Sequence, residues 1–514
     1  MRSWETLLLL ADLMAFLVLS IRQLRGRLWM RNSPAITVVA WVPVVMAAAQ
    51  WLAEGPRWQM LPAYAMTLLF LVAWWLQKSA PMAGLDAQKR SHPITAAVAI
   101  PLGALGLAIA AALPIVVPVF HFAQPSGLYA IGTLTYHWVD ASRAEAFAAD
   151  AKKPRQLMVQ VWYPAQVHSP GPPAAYMPDA DTVTAAFARI HDKPAFVFGH
   201  FKYVTTHAWS SAPAAVDQPR YPVLLFLEGA TGFRQMNTFQ VEHLVSHGYI
   251  VVAIDQPGAA AAVVFPDGHQ ADSLTVSQFH SMVRPSYMSG GTGPLKTGVL
   301  LPNGSTLQNN SIIPYLGQDV SFTLDQLAAL NRVDPNGILA GKLDLQRVGV
   351  IGVSLGGIVA GEACRLDSRL RACLVMDAAM SIDVVKAGLA QPSMWITRDA
   401  ASMRLERQRA GGWPDAEIEA HQTSMRATYE GLSGAGYFVR VPGMFHSNFT
   451  DIASWTPLFR VLGLSGPIDE RRAHEIVNAY SLAFFDRHLV GRPVPLLDGA
   501  SKQYPEVLFE SRRP

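Results

Sequence analysis

The sequence predicts an α/β protein with a doubly wound, mostly parallel sheet, preceded by about four membrane-spanning helices. Three observations carry this expectation. Four long apolar stretches lie before residue 123, and short β-branched runs alternate with helical patterns after about residue 127. Of the 514 residues, 51% are hydrophobic and 15% charged, where soluble domains run nearer ~25% charged. The expected division is a membrane region over 1–122 and an α/β domain over 123–514, interrupted by insertions at about 164–216 and 257–313.

The apolar stretches run from Trp4 to Ile21, Pro34 to Ala53, Gln59 to Leu76, and Ile94 to Phe122. Each is long enough for a span of ~20 residues. Glu5 and Asp12 interrupt the first, for which a secretory signal peptide is the alternative. Arg22 to Arg31 follows without a small-residue cleavage site, and three more spans come after it. Asp12 is expected to be partnered by a neighbouring helix or to snorkel, and it is assigned no role. Arg22, Arg25, Arg27 and Arg31 crowd the first loop, and Lys78, Lys89 and Arg90 the third, whereas the second holds only Glu54 and Arg57. The positive-inside rule then puts loops one and three in the cytoplasm, and the α/β domain on the outer side of the cell membrane.

The chain carries +5 through Arg90 and −2 beyond it. A near-neutral domain without a basic stripe has no electrostatic footprint for nucleic acid, which excludes DNA and RNA as principal partners. Cys364 and Cys373 cannot by themselves build a disulfide scaffold or a four-ligand zinc cage, and their spacing does not decide whether they pair.

In the α/β domain the expected strands are Gln156 to Trp162, Val223 to Leu227, Ile250 to Ile254, Arg347 to Gly352, Ala372 to Met376, Ser393 to Thr397 and Tyr437 to Val441. Several are continuously apolar, as strands covered on both faces must be. Helical patterns run from Met236 to His247, from Gln318 to Arg332 with Val320, Leu324 and Leu327 on one face, and from Ala473 to Leu489. Strands alternating with helices give the doubly wound sheet. Within the second insertion, Phe265-Pro266-Asp267-Gly268 has the composition of a tight turn. Val263, Val264, Phe279 and Met282 are candidates for the wall of a lipid-facing pocket.

The chemistry centres on Gly352-Val353-Ser354-Leu355-Gly356, which follows an apolar strand and opens the small-residue helix Gly357 to Gly361. That is the strand-turn-helix context of a G-x-S-x-G nucleophile elbow, where the backbone turns too sharply to leave room for flanking side chains. Ser354 is the expected nucleophile. A serine hydroxyl needs a base, and the base needs an acid to hold its tautomer. His446 is the best placed of 15 histidines, because it follows the strand Tyr437 to Val441, and in α/β-hydrolase chain order the histidine comes last, after the final strand. His488 reads as a surface or helix-end residue, and His200 and His207 as solvated or packed. Asp377 and Asp399 each follow a strand and compete for the acid, the loser being an exposed loop aspartate. Backbone N–H groups of Leu355 and Ala230, the latter in the loop Glu228-Gly229-Ala230-Thr231-Gly232, are the expected oxyanion donors. No motif for a metal, phosphate or dinucleotide is present, so no cofactor is expected.

At these residues the sequence resembles the plasma-type platelet-activating factor acetylhydrolases, from about Gly127 to Leu489. The likeness includes Val161-Trp162-Tyr163-Pro164, Tyr176-Met177-Pro178, Gly232-Phe233-Arg234, Ser246-His247-Gly248-Tyr249, Asp319 to Leu327, the elbow, Met376-Asp377-Ala378, His446-Ser447-Asn448-Phe449 and Ser481-Leu482-Ala483-Phe484. The resemblance implies an α/β-hydrolase fold, a triad of Ser354, Asp377 and His446, and no metal. It decides for Asp377 over Asp399, and it implies phospholipids with short or oxidised sn-2 acyl groups as substrates. Two positions depart from the family: Glu228 and Gln256 stand where it usually has histidines. The N-terminal helices lie outside the likeness.

The reading is a membrane-anchored serine ester hydrolase acting on a lipid or small ester, with its oligomeric state undetermined. A lipase, a polyester hydrolase or an acyltransferase would use the same triad. A non-catalytic membrane scaffold with a hydrolase-like fold would be marked by a lost triad member, and none is lost.

Overall fold

A strand apolar at successive positions has to be covered on both faces, and the central strands meet this condition in the computed structural model. It describes residues 1–25, 34–79, 85–148, 150, 152–166, 171–288, 299–300, 306–307 and 312–513. In β4 (Tyr221–Leu227) the side chains of Val223, Leu225 and Leu227 enter one hydrophobic core, and those of Leu224 and Phe226 enter another. The same alternation holds in β5 (Ile250–Asp255), β10 (Leu343–Val353) and β11 (Leu370–Met376). Each strand thus spaces two cores, which is why its sequence is apolar throughout.

Contacts divide the chain into two units, Met1–Phe120 with Trp455–Pro457, and His121–Ser454 with Leu458–Pro514. The first contains α1 (Ser3–Arg25), α2 (Pro34–Glu54), α3 (Leu61–Ser79) and α4 (Leu85–Val116). All four helices are long and apolar enough to cross a membrane. The fourth stops at Val116 rather than continuing to Phe122. Inside this unit Asp12 accepts a hydrogen bond from Thr67 Oγ1 at 2.8 Å, so it is partnered by another helix. Glu5 and Arg57 pair at 2.7 Å, and Arg57 also donates to Val117 O at 2.7 Å. Of the basic residues that carry the orientation argument, Arg27 and Arg31 lie outside the described residues, and only the backbone of Arg25, Lys89 and Arg90 is described.

The second unit is an α/β-hydrolase fold. Its sheet has ten strands, adding β1 (Ala130–Ala144), β2 (Pro154–Ala165), β3 (Ala208–Ser210), β12 (Ser393–Thr397), β13 (Gly436–Arg440) and β14 (Leu508–Arg512). The order is β14-β13-β12-β11-β10-β4-β5-β2-β1-β3. From β13 to β5 neighbours are parallel, β2 runs antiparallel to both β1 and β5, and β14 runs antiparallel to β13. The sequence signals for β1 and β14 are weak, since polar residues such as Thr133, Thr135 and Glu510 interrupt them.

The insertions carry structure of their own. The first holds α5 (Ala180–Ile190) and ends in β3, which pairs with β1 and so belongs to the sheet. The second begins with the hairpin β6 (Ala262–Val264) and β7 (Gln270–Asp272), whose turn closes through Gly268 N–H to Phe265 O at 2.9 Å. Gly268 has φ +85°, a value that suits glycine. Two short helices follow, α7 (Val276–Val283) and α8 (Pro285–Met288), then the two-residue strands β8 (Val299–Leu300) and β9 (Thr306–Leu307). The rest of 289–311 lies outside the described residues.

The other helices of this unit are α6 (Thr238–Ser246), α9 (Ile312–Arg332), α10 (Leu355–Leu366), α11 (Ile382–Ala387), α12 (Ala400–Ala410), α13 (Asp415–Glu430), α14 (Leu458–Val461) and α15 (Glu470–Phe485). Helix α9 begins six residues earlier than its periodicity predicts, and α15 passes into a π-helical turn over Asp486–Val490. A buried ion cluster ties α9 to β2. Arg155 is fully buried and pairs with Asp319 at 2.7 Å and Glu145 at 2.9 Å, while Arg143 reaches Asp319 from β1 at 2.7 Å. Arg155→Leu leaves both carboxylates without that partner, and the expected loss is about 3–5 kcal/mol of stability. Thermal unfolding of the detergent-purified protein measures it, and an unchanged midpoint contradicts it.

Candidate active site

The turn from β10 into α10 sets the position of Ser354. Its backbone sits at φ +57°, ψ −123°, a conformation that costs of order 1–3 kcal/mol and persists only where the surroundings impose it. The surroundings do so by close backbone approach. A Cβ on Gly352 would lie 2.0 Å from Gly356 O, and one on Gly356 would lie 2.2 Å from Leu227 O. Ser354 N–H is held by Met376 O at 3.0 Å, across to the next strand. The two flanking glycines are therefore a steric requirement of the turn.

Asp377 follows β11, also with positive φ (+44°), and is fully buried. Its Oδ2 lies 2.5 Å from His446 Nδ1, and its Oδ1 accepts from Thr397 Oγ1 at 3.1 Å. That bond places the proton of a neutral His446 on Nδ1 and leaves Nε2 as the acceptor. His446 stands beyond β13 at the start of a 3-10 turn over His446–Phe449, with its side chain about one third exposed. The geometry thus joins Asp377 to His446 and lines one cavity with Ser354 and Asp377. Among the described residues Ser354 Oγ has no hydrogen bond to His446. Such bonds often tighten only when substrate is bound.

Asp399 does something else. Its side chain accepts Ser402 N–H at 3.0 Å and caps the N-terminus of α12. It is a helix cap rather than an exposed loop residue, so strand-end position in sequence served two different purposes.

Ala230 and Leu355 line the same cavity as Ser354. Leu355 is the first residue of α10, where an N–H has no partner within the helix. On the other loop, Thr231 N–H donates to Ala259 O at 2.7 Å and Gly232 N–H to Gly229 O at 3.0 Å. Ala230 N–H has no partner among the described residues. A Cβ on Gly229 would lie 3.1 Å from Ser354 Cβ, so this loop passes directly beside the serine.

The cavity is about 100 Å³, walled by Phe279, Val283, Tyr287, Ile358, Ala378, Ala379 and Trp413, with Arg284 and His421 as charged or titratable members beside Ser354 and Asp377. Of the four apolar residues expected there, only Phe279 lines it. Met282 is in the main core, and Val263 packs with Met158, Ala260 and Phe265 under the hairpin. Val264 is paired in the β6 hairpin strand.

Four residues near the triad were not singled out by sequence. Arg398 is fully buried, donates from Nε to Asp377 and ion-pairs with Glu406. Trp413 lies edge to face with His446 at 5.2 Å between ring centroids, and the Arg398 guanidinium lies 4.8 Å from the same ring. His421 stacks on Trp413 at 5.1 Å. Burial would raise the Asp377 carboxyl, but the Arg398 charge and the His446 hydrogen bond outweigh it and hold the group well below the usual carboxylate range. Burial pushes His421 down to about 4, so it is neutral at physiological pH.

The remaining sequence candidates have structural partners. His207 bonds Glu242 at 2.7 Å, and His488 lies at a helix end, half-buried in the π-helical turn after α15 and within bonding distance of Tyr437 OH at 3.0 Å. His200 is buried. Cys364 and Cys373 are buried free thiols. Gln256 donates to Leu316 O and Asp319, so it serves the Arg155 cluster. Among the described residues, no group of three or more His, Cys, Asp or Glu side chains is arranged to hold a metal.

The family model described as platelet-activating factor acetylhydrolase, isoform II, matches residues 334–492. This stretch includes Ser354, Asp377 and His446. Platelet-activating factor acetylhydrolase of Cavia porcellus is 24% identical over 286 residues, covering 52% of this chain and 58% of that protein. The enzyme of the same name from Canis lupus familiaris is 25% identical over 313 residues, covering 57% and 62%. A probable 1-alkyl-2-acetylglycerophosphocholine esterase of Arthroderma benhamiae is 24% identical over 309 residues, covering 57% and 67%. The chain therefore spans about three fifths of the length of the first two relatives. Among solved structures, a ferulic acid esterase from Streptomyces cinnamoneus superposes with a TM-score of 0.58 at 27% identity, covering 76% of this chain and 99% of that one.

The cap role of Asp399 has a measurable consequence. Asp399→Ala is expected to cost about 1 kcal/mol through the lost cap while turnover per folded molecule stays near that of the parent protein. Paired unfolding and esterase assays check this, and a collapse of kcat in a folded variant contradicts it.

Proposed function

We propose that the chain is a membrane-anchored serine ester hydrolase, with a membrane region over 1–122, a catalytic domain over 123–514, and a triad of Ser354, Asp377 and His446. The observation that carries the reading is the 2.5 Å bond from His446 Nδ1 to a fully buried Asp377, beside a strained Ser354 on a G-x-S-x-G turn. The acetylhydrolase and esterase relatives support the reaction class.

In this mechanism Ser354 Oγ attacks the ester carbonyl carbon as His446 Nε2 takes the hydroxyl proton. Negative charge moves onto the carbonyl oxygen, where the N–H groups of Leu355 and Ala230 stabilise it. Collapse breaks the bond to the leaving alkoxide, which takes the proton from His446 Nε2 and departs as an alcohol. A water molecule, deprotonated by His446, then attacks the acyl-enzyme, and Ser354 regains its proton as the acid leaves. Asp377 remains ionised throughout and stabilises the imidazolium.

Short or oxidised sn-2 acyl groups of phospholipids are the proposed substrates. A mostly apolar cavity beside Ser354, walled by Phe279, Val283 and Ile358, supports this as a place for an acyl chain. Aromatic esters are the second reading, favoured by the ring faces of Phe279, Tyr287 and Trp413 around the cavity and by the ferulic acid esterase neighbour.

Detergent-purified protein is expected to cleave phosphatidylcholines with short sn-2 chains faster than long ones. Ser354→Ala is expected to lower kcat about 10⁶-fold and His446→Ala nearly as far. Full activity in either variant refutes the triad, whereas cleavage of feruloyl esters alone moves the substrate to the second reading. The catalytic domain is also expected on the outer face of the cell membrane, with both termini there. Protease added to spheroplasts should digest it, and protection sinks the orientation.

A further inference from the structure

We propose that Arg398 and Glu406 are positioning residues that lock the histidine of the triad to its aspartate. The inference rests on the reading of Ser354, Asp377 and His446 given above.

The four residues form a closed ring. His446 Nδ1 meets Asp377 Oδ2 at 2.5 Å, and Arg398 Nε lies 3.0 Å from that oxygen and 3.2 Å from Oδ1. The Arg398 guanidinium ion-pairs with Glu406, and Glu406 Oε1 accepts the backbone N–H of His446 at 3.2 Å. The imidazole is held from one side by Asp377 and the backbone from the other by Glu406, with Arg398 tying the two carboxylates together. One turn earlier on the same face of α12, Ser402 Oγ accepts Gly443 N–H at 2.8 Å. Helix α12 therefore grips the histidine loop at two points four residues apart, as i and i+4 positions on one helix face permit.

Arg398 is 0% exposed, and a buried guanidinium persists only where its charge is met. Here it is met by two carboxylates, and the Trp413 ring lies against it. Charged or titratable groups facing the Asp377–His446 pair are Arg398 from the turn after β12, Glu406 from α12 and His421 from α13. The Arg398 charge acts most strongly on Asp377, with His446 and, in acid, His421 adding to it. Arg398 thus keeps Asp377 ionised far into acid, where protonation would release His446.

A purely structural arginine would affect stability alone. A positioning arginine affects the chemical step and its pH dependence. With detergent-purified full chain and p-nitrophenyl acetate, Arg398→Met is expected to lower kcat about tenfold or more, leave KM within about twofold, and move the acidic limb of kcat/KM to higher pH. Arg398→Lys, which restores a charge near Asp377, is expected to return the limb most of the way. Glu406→Ala, which frees the His446 backbone, is expected to lower kcat about tenfold, and Glu406→Gln, which keeps an acceptor, to recover most of it. Unfolding midpoints identify the folded variants, and the Glu406 pair carries the test if Arg398→Met does not fold. Folded variants with parental kcat and an unmoved acidic limb overturn the proposal. Turnover that survives Ser354→Ala instead overturns the triad on which it rests.

Discussion

Everything at the candidate site depends on one steric constraint, the reversal of the backbone between β10 and α10. Gly356 must approach Leu227 O, and Gly352 must approach Gly356 O, closer than any Cβ allows. That approach brings the oxyanion loop after β4 beside the serine and presses the start of α10 against the sheet. The strain at Ser354 is sustained by the two cores on either side, because β4, β10 and β11 cannot shift without opening both. The site is therefore a property of the whole sheet rather than of a loop.

The second organising feature is charge held out of water. Asp377, Arg398 and Asp319 with Arg155 are all fully buried, and each is met by an opposite charge. Buried pairs add little stability compared with apolar packing, but removing one partner is severe. Such clusters specify arrangement more than they strengthen it. One cluster fixes β2 against α9, and the other fixes the acid of the triad against the histidine loop.

Much of this was legible in sequence for a physical reason. Strands covered on both faces must be continuously apolar, so β4, β5, β10 and β11 announce themselves. The Ser354 turn admits so few residue types that a five-residue pattern identifies it, and His446 is marked by following the last parallel strand. The outer strands are different, because β14 at the edge and β1, covered beyond only by the three-residue β3, carry polar residues and lose the period that marks a strand. Asp377 and Asp399 have the same local signature, a carboxylate after a parallel strand, and only tertiary contact shows that one bonds His446 while the other caps α12. Arg398 and Glu406 were illegible for the same reason. An arginine 21 residues from Asp377 and a glutamate 40 residues from His446 become partners only when α12 folds over the loop.

The departures at Glu228 and Gln256 can be understood in the same physical terms. Gln256 donates to Asp319 and so adds a neutral hydrogen bond to a cluster that already has its charges balanced. Glu228 lies buried at the base of the oxyanion loop, its stem against the position where a Cβ on Gly232 would stand, at 3.3 Å. An ionised carboxylate there would oppose negative charge developing on a bound ester. Burial pushes Glu228 well above the usual carboxylate range, and the nearby negative charge of Asp255 adds to it, while Arg234 gives most of its charge to Asp255. Its surroundings thereby favour the neutral form of Glu228. A carboxyl group under the loop is then compatible with oxyanion stabilisation because the fold disfavours its charge, just as it favours the charge of Asp377 two strands away.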